Sequence, residues 1–223
     1  MEEILILLQK GMDLIIMSRI YNLVVICGPA GSGKNYIIDK LASECPESMN
    51  LVIPDTTRPP RDSEQNGVQY NFLTGDEFFK KEHFDETCFN NWYYGTPIDA
   101  IVSEKSNVLI LNPSALLYIY NRQDTILHWF QQRDKIEDIK IRIQVFYINA
   151  PDKIRIQRQL NREFEPNVHE ICRRFLADEE DFTKIKKIPM FKLNNITELD
   201  AEECIAVIKE SIDWLKIHKD KMD

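Results

Sequence analysis

The 223-residue chain has no surplus of positive charge, since 28 Lys and Arg face 36 Asp and Glu for a formal net charge of −8. Nucleic-acid binding needs Lys and Arg concentrated against phosphates, so no nucleic-acid partner is expected. A small anionic substrate needs only local positive charge. There is no Cys-x-x-Cys pair, and the cysteines Cys27, Cys45, Cys88, Cys172 and Cys204 are scattered and odd in number. That argues against a complete disulfide framework and for a reducing, cytoplasmic location. The histidines His83, His128, His169 and His218 lack metal-ligand spacing, so a zinc site carries little weight. The apolar runs at 4–8 and 14–17 are interrupted by Gln9, Lys10 and Asp13, well short of the ~20 apolar residues that span a bilayer. No signal-peptide cleavage site follows them, no membrane association is expected, and no internal repeat or low-complexity tract occurs.

What is present suffices for one substantial core. With 43% hydrophobic residues, the length fits one domain with inserted subdomains better than two independent ones. Residues 1–20 read as an N-terminal extension: either an amphipathic helix packed on the domain or a segment upstream of a start at Met17. The domain proper runs over 21–217.

The most informative segment is Val24-Val25-Ile26-Cys27-Gly28-Pro29-Ala30-Gly31-Ser32-Gly33-Lys34-Asn35. A buried-strand pattern runs into a glycine-rich loop that ends in lysine. Glycines at 28, 31 and 33 let successive backbone N–H groups converge on an anion, and Lys34 adds a mobile positive charge for the β- and γ-phosphates. The residue after the lysine is usually Ser or Thr, whose hydroxyl binds Mg²⁺. Here it is Asn35, whose side-chain carbonyl is a hard oxygen ligand; the alternative is Mg²⁺ held by water and nucleotide phosphates.

Periodicity predicts a first central strand over Asn22 to Cys27 and a helix over Lys34 to Glu44, stopped by Pro46. From Leu51 to Ala100 the texture is that of short strands with one helix around Gly75 to Lys81, an inserted subdomain assigned to 54–100. Val108 to Leu111 and Ile141 to Ile148 read as buried parallel strands. Helical texture covers Pro113 to Tyr120 and Thr125 to Lys135, where Ile126, Leu127, Trp129 and Phe130 either pack on the core, the favoured reading, or form an interface. The charged stretch 151–187 reads as two helices broken at Pro166, a candidate lid. A strand over Met190 to Leu193 and a helix over Ala201 to Lys216 complete an alternating α/β pattern.

A second cluster is Thr56-Thr57-Arg58-Pro59-Pro60-Arg61, followed by Glu64, Asn66-Gly67, Tyr70-Asn71-Phe72 and Trp92-Tyr93-Tyr94-Gly95-Thr96. Arg58 and Arg61 can present two guanidinium groups to one phosphate, and Tyr70 and Tyr94 can donate phenolic hydrogen bonds to its remaining oxygens. A second anion site beside a nucleotide cradle implies an acceptor phosphate.

With these motifs in this order, the chain resembles guanylate kinase from about Asn22 to Leu215. The resemblance implies a P-loop three-layer α/β fold with a central parallel sheet, an inserted subdomain that binds the nucleoside monophosphate, and a helical lid. It implies ATP with Mg²⁺ as the donor and a nucleoside monophosphate, GMP or dGMP, as the acceptor, in a monomer or homodimer. It assigns Arg58, Arg61, Tyr70 and Tyr94 to the acceptor phosphate and Thr96 to a hydroxyl near phosphate and base. The carboxylate at the guanine edge falls on Asp85 without a gap, or on Glu86 with one residue missing. Arg162 and Arg174 match the lid arginines that close over the transferring phosphoryl group, with Arg158 and Arg173 as neighbouring alternates. Asn194-Asn195 resembles the border of the adenine pocket. The catalytic set is therefore Lys34, Arg58, Arg162 and Arg174.

Besides Asn35, three positions depart from the family. Pro54 stands where a base-contacting serine is expected, and Asn112-Pro113-Ser114 stands where two aspartates are usual, so Ser114 occupies a substrate-side position without a carboxylate. Groups that read the base and the metal have changed while those that bind phosphate remain. Alternatives are a kinase of broader base preference and a guanylate-kinase-like binding module.

Overall fold

Alternation along one strand sets the architecture. In the computed structural model, which describes residues 19–60, 64–89, 91–162 and 165–218, strand β1 (Arg19–Cys27) lies at the centre of a five-stranded sheet. Most of the expected N-terminal extension, and Arg61, fall outside the described residues. The sheet order is β2 (Met49–Leu51), β7 (Ser106–Ile110), β1, β8 (Ile139–Asn149) and β9 (Phe191–Asn194), with parallel neighbours throughout. Successive side chains of a strand point to opposite faces. Tyr21, Leu23, Val25 and Cys27 therefore enter one core, and Val24 and Ile26 the other.

The first core is closed by α3 (Pro113–Asn121) through Leu116 and Ile119 and by α4 (Gln123–Asp134) through Ile126 and Phe130. The second is closed by α1 (Lys34–Glu44) through Ile37, Ile38 and Leu41 and by α7 (Glu198–Ile212) through Ile205 and Ile208. Each fully buried aliphatic or aromatic side chain contributes about 1.5–3 kcal/mol of transfer free energy. A sheet covered on both faces is the setting that hydrophobic parallel strands require.

The expected packing of α4 is observed. Phe130 is fully buried and stacks on Tyr21 at 4.1 Å between ring centroids. The Tyr21 hydroxyl donates to Asp134 and accepts from Arg133.

A second, four-stranded sheet follows from the middle of the chain. Its order is β4 (Asn71–Phe72), β3 (Asp55–Thr56), β6 (Trp92–Pro97) and β5 (His83–Phe89). Short strands are joined here by turn-rich segments, as the sequence texture indicates. The helix expected over Gly75 to Lys81 is shorter, α2 (Gly75–Phe78), and begins with a capping box between Thr74 and Glu77. Lys81 is drawn out of helical register to the buried carboxylate of Asp55 at 2.7 Å, and His83 reaches the same carboxylate at 3.1 Å.

Beyond β8 the chain forms α5 (Asp152–Leu160) and α6 (Val168–Lys184), with the break at Pro166. Asn167 caps α6 by accepting the Glu170 amide at 3.0 Å. The final helical stretch begins earlier than its periodicity suggested, because Thr197 and Asp200 form a capping box, and it divides into α7 and α8 (Trp214–His218). Among the described residues no helix is long and apolar enough to cross a membrane. Every cysteine is free: Cys27, Cys45 and Cys204 are buried, while Cys88 on β5 and Cys172 on α6 are exposed.

Candidate active site

The loop from Gly28 to Gly33 joins the end of β1 to α1. Gly33 caps the helix in the left-handed region at φ 92°, and a Cβ there would stand 2.2 Å from Asn195 Nδ2. Gly31 has φ 78°, and a Cβ there would meet the Arg155 backbone carbonyl at 2.5 Å. Only glycine satisfies both the dihedrals and the clearance. Asn195 donates to the Ser32 carbonyl at 2.8 Å. Ser32 is fully buried, and its hydroxyl has no hydrogen-bond partner among the described residues.

Lys34 folds back onto its own loop, donating to the Gly28 and Pro29 carbonyls at 2.6 and 3.0 Å. Burial of this ammonium pushes its pKa down to about 8, with partial compensation from the Asp178 carboxylate. An enclosed cation at the start of a helix favours an incoming anion that restores its lost solvation.

A cavity of about 380 Å³ opens beside the loop and runs to the second sheet. It brings together Gly28, Ala30 and Lys34 from the loop, Tyr70, Asp85, Tyr94 and Thr96 from the second sheet and its connections, and Arg174 from α6. Pro54, Leu111 and Asn112 also line it. Tyr70 and Tyr94 meet edge to face at 5.9 Å between centroids.

Register separates the two acidic candidates. A register irregularity lies between His83 and Glu86 in the β5–β6 pair, and Glu86 lies opposite Gly95. Asp85 is 4% exposed and accepts the Thr96 amide at 3.2 Å. Burial pushes the Asp85 carboxyl upward, offset in part by the Thr96 hydrogen bonds. Glu86 is exposed, lies 3.6 Å from His83 Nδ1 and is not part of the cavity lining.

Arg58 lies in a neighbouring cavity of about 510 Å³ with Arg162, Glu170 and Arg174. Its guanidinium pairs with Glu64 at 2.9 Å and donates to the Pro59 carbonyl at 2.7 Å. It also stands 5.5 and 5.6 Å from the ring centroids of Tyr70 and Phe72. Arg174 lines both cavities and donates to Glu170 at 2.7 Å. Glu170 also holds Arg173 through two hydrogen bonds of 2.7 and 2.9 Å, which with the Arg174 bond bring its carboxyl down to about 2.

Some sequence-selected residues are not brought together. Arg162 is exposed and lines only the outer cavity, whereas the alternate Arg158 touches the loop, reaching the Ser32 and Asn195 carbonyls at 3.4 and 3.0 Å. Ser114 is exposed in the first turn of α3 and does not line the inner cavity; Asn112, two residues before it, caps that helix by accepting the Ala115 amide at 2.8 Å. The sequence reading also overlooked Arg155 and Asp178. Both grip the loop at Ala30, and no local motif marks either one.

Among the described residues no group of three His, Cys, Asp or Glu side chains could hold a metal ion by themselves. The exposed Asn35 at the start of α1 fits an ion that arrives with nucleotide phosphates, supplying one neutral oxygen beside phosphate and water ligands. Mg²⁺ bound in this way would neutralise phosphate charge.

A glycine-rich loop between a central parallel strand and a helix, facing a basic and phenolic cavity, defines a P-loop phosphotransferase of the nucleoside monophosphate kinase class. A family-wide sequence profile described as guanylate kinase matches residues 20–213. The chain belongs to the guanylate kinase family.

Among its relatives, a guanylate kinase of Malacoplasma penetrans is 32% identical over 144 residues, covering 60% of this chain and 73% of the relative. One of Mycoplasmopsis synoviae is 24% identical over 196 residues, covering 86% and 96%. In fold, the chain is similar to the crystal structure of guanylate kinase from Anaplasma phagocytophilum, with a TM-score of 0.55, 16% identity and coverage of 87% and 86%.

Proposed function

We propose that this chain transfers the γ-phosphoryl group of Mg·ATP to the phosphate of GMP or dGMP, forming the diphosphate. The observation that carries this reading is the single cavity shared by Lys34 and the loop, the paired tyrosines Tyr70 and Tyr94, and the buried carboxylate of Asp85. That arrangement supports an anion-binding end and a base-reading end within one space.

Chemistry favours guanine at the Asp85 end. A carboxylate accepts hydrogen bonds, and guanine offers its N1–H and exocyclic amino group side by side. Adenine presents an unprotonated N1 at the same edge, which a carboxylate repels. Pro54 supplies no hydrogen-bonding side chain, so base recognition falls on Asp85 with Thr96.

Transfer needs no strong general base, because an acceptor phosphate oxygen is already nucleophilic. Catalysis consists of alignment, charge neutralisation and exclusion of water. The loop amides and Lys34 hold the donor; Arg58, Arg61, Tyr70 and Tyr94 hold the acceptor phosphate. Arg174, lining both cavities, is placed to move from Glu170 to charge developing between donor and acceptor, with Arg162 at the outer margin. Closure of α5 and α6 over the site would exclude water and suppress ATP hydrolysis. The lack of a nucleic-acid or membrane partner, a cytoplasmic location and a monomeric or homodimeric state belong to the same reading.

The test is to incubate the chain with Mg·ATP and each common NMP and dNMP, measuring diphosphate formation beside a Lys34→Ala control. GMP and dGMP are expected to be the preferred acceptors. Absence of Lys34-dependent product from every acceptor would sink the kinase reading, and preference for another base would sink the guanine assignment.

A further inference from the structure

Ala30 is held by both of its peptide groups. Its N–H donates to Asp178 Oδ2 at 2.6 Å, and its carbonyl accepts from Arg155 Nε at 3.0 Å. Arg155 Nη2 closes the ring by pairing with the same Asp178 oxygen at 3.0 Å. Arg155 comes from α5 and Asp178 from α6, so two lid helices meet on one residue of the phosphate loop. The guanidinium also pairs with Asp152 at 3.2 Å and lies 4.5 Å from the Phe175 ring centroid.

The loop is built to present N–H groups to an anion. In this conformation one of those groups is already taken, and by an anion belonging to the chain. Asp178 lines the same cavity as Lys34 and contributes attractively to that ammonium. A phosphate entering the loop would bring a second negative charge to the Ala30 amide, and two anions cannot share one donor without strong repulsion.

We propose that the Asp178 carboxylate stands in for a donor phosphate at the Ala30 amide, and that ATP displaces it and transfers Arg155 from Asp178 to the phosphate chain. Asp178 thereby weakens binding of the donor, and Arg155 is a phosphate-positioning residue for the transfer. Arg155 remains anchored by Asp152 as it changes partner, so its guanidinium needs only a small movement. Burial pushes the Asp178 carboxyl upward, so ionised Asp178 is held against a desolvation cost and is readily given up to solvent. Displacement also couples the two ends of the reaction cycle, because the carboxylate that leaves the loop rides on the helix that carries Arg174.

The proposal rests on the loop being the donor site, and the experiment separates the two. ATP binding without acceptor is measured by calorimetry on the full chain for wild type, Asp178→Asn, Asp178→Ala, Arg155→Met and Lys34→Ala, with thermal unfolding as a check on folding. Both Asp178 variants are expected to bind ATP about tenfold more tightly, and Arg155→Met about tenfold more weakly, the scale of one charged hydrogen bond. In steady state the Asp178 change should fall on KM for ATP more than on KM for GMP. Unchanged or weakened ATP binding in a folded Asp178→Asn chain overturns the proposal. Unchanged binding in Lys34→Ala overturns the donor-site reading instead. In unaltered protein, tripolyphosphate should move the NMR signals of the Ala30 amide and the Arg155 Nε–H together. Movement of Ala30 alone would show that Arg155 does not change partner.

Discussion

The side-chain amide of Asn195 donates to the Ser32 carbonyl at 2.8 Å, so the loop that follows the first strand is fastened to the end of the last one. Gly33 passes so close to this bond that a Cβ would stand 2.2 Å from the same amide. Asn195→Ala should raise KM for ATP by about tenfold, the cost of one buried hydrogen bond to the loop. Gly33→Ala should do more harm, because it strains a backbone at φ 92° and pushes Asn195 away. Steady-state kinetics with varied ATP checks both, and equal KM values in Asn195→Ala and wild type would contradict the fastening role.

Asp85 and Glu86 give a sharper contrast. Asp85→Asn keeps the shape but loses the charge, and KM for GMP should rise about 10- to 100-fold, the cost of charged hydrogen bonds worth ~1.5–3 kcal/mol. Glu86→Gln should leave KM for GMP unchanged, since Glu86 is exposed outside the cavity. The reverse pattern would place the guanine edge at Glu86.

Lys34 predicts a pH dependence. Burial lowers its pKa in the free protein to about 8, and a bound phosphate raises it again, so ATP binding takes up a proton above that pH. Affinity is therefore full below pH 8 and weakens as pH rises beyond it, at a limiting slope of about tenfold per unit. The folding contribution has the opposite sign. A Lys whose folded pKa is lowered penalises the folded state below about 8, and the penalty disappears as pH rises from 8 to 10.5. Lys34→Met supplies the reference that removes other titrations, among them those of Asp178 and Cys27. Calorimetry in buffers of different ionisation enthalpy should show proton uptake in wild type only.

The arginines beyond β8 should separate. Arg174 lines both cavities, while Arg162 lines only the outer one. Arg174→Ala is expected to lower kcat by about 10²-fold, the scale of removing one donor from a developing charge. Arg162→Ala should cost less. Single-turnover measurements check this, and a larger loss at Arg162 would reverse the assignment.

Phe130 makes a stability test that does not touch the site. It is fully buried and stacked on Tyr21, so Phe130→Ala should destabilise the chain by about 3–5 kcal/mol. Denaturant unfolding would measure it; a loss under ~1 kcal/mol would mean that α4 is not part of the core.

Much of the fold was legible because local rules agree along the chain. The apolar run that ends β1, the turn-forming glycines and the helical run from Lys34 to Glu44 all point to strand, phosphate loop and helix. Residues joined by sequence-distant geometry were harder to read. Asp85 and Glu86 are adjacent acids in a charged segment, and only the β5–β6 register turns one inward. Arg155 and Asp178 are 23 positions apart on different helices, and nothing in either helix reveals that they meet at Ala30. Ser114 was selected by position in a motif, while Asn112, two residues before it, was free to become a helix cap and line the cavity.

The distribution of thiols has a practical consequence. Burial pushes Cys27 up to about 12 and Cys204 up to about 11, which keeps both protonated and unreactive at neutral pH, and Cys45 is likewise buried. The exposed pair, Cys88 and Cys172, belongs to different parts, one on the second sheet and one on α6. A maleimide dye pair should therefore label the wild-type chain at one point on the second sheet and one on α6. Energy transfer between the dyes would follow the two parts as they approach, without any cysteine having to be added or removed.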